Sequence, residues 1–102
     1  MKIIKCLTEK IREELSDAEA YIDLAISWKA EDPEAAALFS ELSAEEMGHM
    51  EKLHAEVVDR INVYREENGE PPKGMMVLYE YLHDRNTEDA MRIKVKQAMF
   101  RE

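Results

Sequence analysis

Each of the three histidines in this 102-residue chain stands three residues after a glutamate, in Glu46-x-x-His49, Glu51-x-x-His54 and Glu80-x-x-His83. Residues i and i+3 of an α-helix share a face, so at this spacing a carboxylate oxygen and an imidazole nitrogen can converge on one cation. Hard carboxylates combined with imidazole suit Fe(II), Mn(II) or Zn(II). Projecting inward from bundled helices, Glu-x-x-His is the ligand unit of carboxylate-bridged two-metal sites. Glutamate is abundant here, so the offset alone does not make a ligand. The elements that carry the three pairs have to rank them.

The composition is that of a helical protein. Glycine and proline number 3 each, Ala, Glu, Leu, Lys, Met and Arg dominate, and no alternating run of β-branched residues reads as a strand. Asp32-Pro33-Glu34 reads as a cap followed by a first helical turn. Asn68-Gly69 ends a helix, and Pro71-Pro72-Lys73-Gly74 cannot continue one. Asn86-Thr87-Glu88-Asp89 has the form of an N-cap with an acidic first turn, where a helix restarts or kinks. These signals predict an all-α chain of one domain, with helices over about 3–30, 33–68 and 75–100. Residues 1–68 form a long antiparallel hairpin and residues 75–102 a third, C-terminal helical segment.

The first helix has an inward stripe of Ile4, Leu7, Ile11, Glu14, Ala18, Tyr21, Ala25 and Trp28, spaced alternately by three and four. A carboxylate within such a stripe is unfavourable unless it is paired or metal-bound. Alternatively, Leu15, Ile22 and Ile26 shift the buried face and leave Glu14 at its edge. The second helix carries Ala36, Phe39, Leu42, Glu46, His49 or Met50, Leu53, Val57, Ile61 and Tyr64. A further apolar line through Met47, His54, Val58 and Ile61 widens that face beyond what one partner needs.

Register then separates the three pairs. In an antiparallel hairpin turning near residue 31, Glu14 lies level with residues 47 to 48, opposite Glu46 and His49. Asp17 and Glu19 are one turn nearer the loop. With a second turn near residue 71, His83 lies level with residue 59, on the order of 20 Å along the helix from the first group. Glu80 and His83 are therefore expected to form a separate polar cluster facing Glu56 and Asp59, or a half-exposed helix contact. His54 falls on the second apolar line and reads as an interface histidine, while Glu51 is solvated. Glu14, Glu46 and His49 are the candidate metal ligands, and His54, Glu80 and His83 a secondary polar cluster.

The net charge of −9 argues against nucleic acid and anionic membranes as partners. It is compatible with attracting divalent cations, although solubility accounts for it as well. The single cysteine, Cys6, excludes an internal disulfide and fits a reducing cytosol. Ile-Ile-Lys-Cys-Leu near the start is too short and interrupted for a signal-peptide core, and no stretch is long enough to span a membrane. The expected location is cytoplasmic.

From Ile11 to Val58 the chain resembles the ferritin-like superfamily, particularly the helical hairpins of rubrerythrin-type and short encapsulated-ferritin-type proteins. The resemblance rests on Glu14 preceding Tyr21 by seven residues, on Pro33 at the turn, and on Leu38-Phe39 followed by Glu46-Met47-Gly48-His49. It implies that Glu14 and His49 are terminal ligands, that Glu46 is a bridging carboxylate and that Tyr21 stands close behind them. Full-length members supply a second Glu and Glu-x-x-His from a second hairpin, which this chain lacks at the right level. The short type pairs two subunits across a two-fold axis, so each contributes Glu, Glu and His. By that resemblance this chain would be a homodimer, or a multiple of dimers, forming a ferritin-like four-helix bundle around two iron ions, with manganese or zinc as alternatives. No Cys-x-x-Cys is present for a rubredoxin-like iron site.

Two functions follow. One is a metal-binding ferritin-like protein with a di-iron, ferroxidase-type site at a homodimer interface, able to oxidise Fe(II) with dioxygen. The other is a helical interaction module that has kept the scaffold without a working metal centre. The wide apolar face of the second helix favours the latter, as do Met75, Met76, Tyr79 and Tyr81 in the third.

Overall fold

The computed structural model describes residues 2–102, which form three helices: α1 (Lys2–Trp28), α2 (Pro33–Asn68) and α3 (Lys73–Arg101). No strand occurs among the described residues. The helices lie side by side in a rod of 56 × 19 × 18 Å. None of them is long and apolar enough to cross a membrane.

The turns follow from local chemistry. The Asp32 carboxylate accepts from the Ala35 amide at 3.1 Å and Pro33 takes the first helical position, so α2 begins with a satisfied cap. Gly69 ends α2 with φ 80, a conformation that a side chain would strain, and its amide bonds the Arg65 carbonyl at 2.9 Å. Pro71 and Pro72 break the chain, and the Pro72 carbonyl receives the amides of Met75 and Met76 to open α3. The kink expected at Asn86-Thr87-Glu88-Asp89 does not interrupt α3. The Thr87 hydroxyl turns back to the His83 carbonyl at 2.9 Å instead of capping, so one helix runs through.

α2 runs antiparallel to both neighbours, and α3 therefore runs parallel to α1. The α1–α3 direction is fixed by ion pairs in ascending order: Arg12 with Asp89, Glu19 with Arg92 and Lys96, and Asp23 with Lys96. At the centre the fully buried Ser43 hydroxyl donates to the Ala18 carbonyl at 2.7 Å and accepts from Gln97 Nε2 at 3.0 Å, joining all three helices.

The buried line of α1 is Ile4, Thr8, Ile11, Leu15, Ala18, Ile22 and Ala25. This corrects the expected stripe, because Thr8, Leu15 and Ile22 replace Leu7, Glu14 and Tyr21 on the inward side. Leu7, Glu14 and Tyr21 are half-buried, and Trp28 is 43% exposed. Two helices pack on α1 rather than one, and α3 draws the buried face toward the Arg12–Glu19 side. α2 shifts in the same sense: Ala36, Ser43, Met47, Val57 and Ile61 are buried, while Phe39, Leu42, Glu46 and Leu53 are half-buried. The two half-buried lines border one groove along the α1–α2 hairpin, on the side away from α3. α3 is attached most lightly, and Ile93 is its only buried side chain.

Candidate metal centre

The groove away from α3 is where Glu14, Glu46 and His49 meet. Glu14 sits midway along α1 and Glu46 and His49 one turn apart on α2, so antiparallel packing brings the three to one level. His49 Nδ1 lies 3.3 Å from Glu14 Oε2 and 3.8 Å from Glu46 Oε2. One potential donor atom from each residue lies within 4.8 Å of the other two. The Glu14 and Glu46 side chains are 17% and 20% exposed, and that of His49 is 57% exposed. The carboxylates are thus drawn into the hairpin, while the imidazole stands at its rim.

The two carboxylates repel each other in this setting. A hydrogen bond shared with Glu14 raises the Glu46 carboxyl above its usual range, burial adds to this, and so does the Glu14 charge. His49 opposes the shift and Asp17, the neighbour one turn nearer the loop, reinforces it. Two carboxylates held within reach of one proton, with an imidazole beside them, have the donor set of a divalent metal site in which the cation replaces the proton. One chain supplies three donors on an open rim, fewer than a pair of metal ions requires.

Of the other sequence-selected residues, Tyr21 shares the face of Glu14 and the rest lie elsewhere. Tyr21 stacks its ring on Phe39, with centroids 6.4 Å apart, about 10 Å along α1 from Glu14. The cluster expected between Glu80, His83, Glu56 and Asp59 does not form. His83 instead stacks on His54 at 5.1 Å between ring centroids, while Glu56 pairs with Arg60 and Glu80 is exposed. His54 is five residues from the expected level at residue 59, about 7 Å along the helix. Glu51 is exposed, as expected of a solvated residue.

The ion-pair face between α1 and α3 was not anticipated from sequence. Its signal is present in hindsight: Arg12, Glu19 and Asp23 share one side of α1, and Asp89, Arg92 and Lys96 share one side of α3. Hydrogen bonds from Arg92 hold Glu19 down at about 2 against the opposing effect of burial, and Lys96 assists. Burial alone would raise Asp89, but hydrogen bonds from Arg12 and Arg92 outweigh it and leave that carboxyl below its usual value.

A scan against models of protein families, a search of curated proteins and a search of solved structures each found no match to this chain.

Proposed function

We propose that the chain is one half of a carboxylate-bridged metal protein of ferritin-like type. Two copies would face each other across the α1–α2 groove, so that each contributes Glu14, Glu46 and His49 to a two-metal site. The observation that carries this reading is the convergence of three donors from two helices on the half-buried face that α3 leaves uncovered. Leu7, Tyr21, Phe39, Leu42 and Leu53 border the same groove, so a second hairpin there would bury apolar surface around the donors. Four carboxylates and two imidazoles would then surround two cations, iron by the resemblance, with manganese or zinc equally compatible with the donor set. With Fe(II) as substrate and dioxygen as oxidant, such a site would have the composition of an Fe(II) oxidase.

The test is metal stoichiometry coupled to association. Protein loaded anaerobically with Fe(II) and then desalted should retain about two metals per dimer, and sedimentation should show the metal favouring the dimer. Replacing Glu46 and His49 together with alanine should abolish both effects. Wild-type protein that retains no Fe(II), Mn(II) or Zn(II) under these conditions would sink the reading.

A second reading, a helical interaction module without a metal centre, is favoured by one specific feature. Val77, Leu78, Tyr81, Met91, Val95 and Met99 of α3 are all more than half exposed. On that reading the double alanine variant keeps the oligomeric state of the wild type.

A further inference from the structure

Only one of the three Glu-x-x-His pairs closes. Among the described residues, both ion pairs that involve a histidine belong to His49. Glu51 and Glu80, three residues before His54 and His83, are exposed, and neither carboxylate reaches its histidine. The two rings turn to each other instead, across the seam between α2 and α3. Their centroids are 5.1 Å apart with planes inclined by 18°, and the Tyr79 ring also stacks with His83 at 5.8 Å. Both histidines are half-buried.

They line a cleft of about 180 Å³ to which α1 contributes Ile11, α2 Met50, and α3 Asn86, Met91 and Lys94. Lys94 is the one other charged side chain in that lining. Burial, and then the proximity of His83, hold His54 below the ordinary imidazole value of 6.5. This environment accepts a neutral imidazole at His54 and has no group to compensate an imidazolium ion there. Its charge would stand beside the Lys94 ammonium and the two stacked rings, and no acid of any of the three helices pairs with either histidine.

We propose that the His54–His83 stack is an acid-sensitive latch, holding the first half of α3 on the α1–α2 hairpin while His54 is neutral and releasing it when that ring is protonated. The second half of α3 is held differently. Arg12–Asp89, Glu19–Arg92 and Asp23–Lys96 tie it to α1, and Glu19, held at about 2, keeps its charge far below the range in which histidines titrate. Mild acid therefore opens residues 73–86 and leaves residues 89–100 docked. That segment covers Ile4 and Thr8 of α1 with Met75, Leu78 and Leu82, around a groove of about 390 Å³, so release uncovers apolar surface at the start of α1. The metal reading plays no part in this inference.

The sign follows from linkage. A base whose folded value is depressed binds fewer protons in the closed state, so closure is fully present above about 6.5 and is lost as pH falls below it. Amide hydrogen exchange of metal-free protein in chelator, corrected for intrinsic rates, reads the opening directly. Between pH 6.5 and 5, the opening constant of residues 75–86 should rise, by up to about tenfold per pH unit for the one proton taken up by His54. Residues 90–100 should stay protected. The variant His54→Gln with His83→Phe keeps flat side chains but cannot charge, and should lose the pH dependence, whereas His49→Gln should retain it. In the wild type, the His54 Cε1 proton should titrate below 6.5, a readout that does not depend on the variants folding. Equal protection of residues 75–86 at pH 7.5 and 5, an undiminished slope in the double variant, or His54 titrating at or above 6.5 would each overturn the latch.

Discussion

His49 Nδ1 lies 3.3 Å from Glu14 Oε2 across 35 residues of sequence. Neither helix needs that contact for its own formation, and neither residue belongs to the buried core of the hairpin. Beside it the Glu14 and Glu46 carboxylates lie together on a half-buried rim, an arrangement that stores repulsion rather than stability when both are charged.

That repulsion is measurable. The Glu46 carboxyl is raised, chiefly by its hydrogen bond with Glu14 and by burial, so the folded state binds more protons than the unfolded one above pH 4.5. Its contribution to stability is therefore present at low pH and lost as pH rises through the raised value. Glu46→Gln should stabilise metal-free protein at pH 7 by on the order of 1 kcal/mol or less, read as a higher thermal midpoint. The same substitution should remove metal retention. If the variant is less stable at pH 7 than the wild type, the two carboxylates are not in opposition.

Metal retention should weaken on acidification for the same reason. The shared proton must leave before a cation can bind between Glu14 and Glu46, and the imidazole of His49 must be neutral to coordinate. Affinity should fall by up to about tenfold per pH unit for each proton displaced, as titration calorimetry in buffers of different ionisation enthalpy would show. In Glu46→Gln no proton is held between positions 14 and 46, so any residual binding should have the shallower slope. An unchanged slope would assign the proton elsewhere.

Much of this arrangement was legible in the sequence, and what was not has physical causes. Asp32-Pro33 and Asn68-Gly69 set the helix ends because capping is local chemistry, and with the ends fixed the hairpin count aligned Glu14 with Glu46 and His49. Which side of α1 is buried was not decided by its apolar residues. Leu7 and Tyr21 on one edge and Leu15 and Ile22 on the other both complete a stripe with Ile4, Ile11, Ala18 and Ala25, and only the position of α3 chooses between them. The placement of α3 was illegible for a related reason. Its apolar residues are spread round the helix, from buried Ile93 to Val77, Met91, Val95 and Met99 at about 60% exposed. With no single apolar stripe to fix its register, a turn-based count put His83 level with Asp59, whereas the ring reaches His54.

The charge pairs between α1 and α3 should govern acid stability. Glu19 is held at about 2, first by the hydrogen bonds of Arg92 and then, with burial opposing, by Lys96. A depressed carboxylate contributes stability that is present above 4.5 and lost as pH falls toward 2. Glu19→Gln should lower stability at pH 7 by about 1 kcal/mol, since the pairs are partly solvated, and should flatten the loss between pH 4.5 and 2. Raising salt should narrow the difference between the two proteins. A variant as stable as the wild type in low salt at pH 7 would show that the network orients α3 without strengthening its attachment.

Ser43 offers the sharpest test of how the three helices are joined. Its buried hydroxyl donates to Ala18 and accepts from Gln97, so one oxygen serves α1 and α3 from α2. Ser43→Ala removes the acceptor and leaves the half-buried Gln97 amide without it, which should destabilise the protein by about 1–2 kcal/mol. Replacing both partners, Ser43→Ala with Gln97→Met, leaves no polar group stranded and should recover part of that loss. The double-mutant cycle should therefore give a coupling of about 0.5 kcal/mol or more, whereas strictly additive effects would mean that Gln97 finds water in place of Ser43 and that α3 is not locked at its centre.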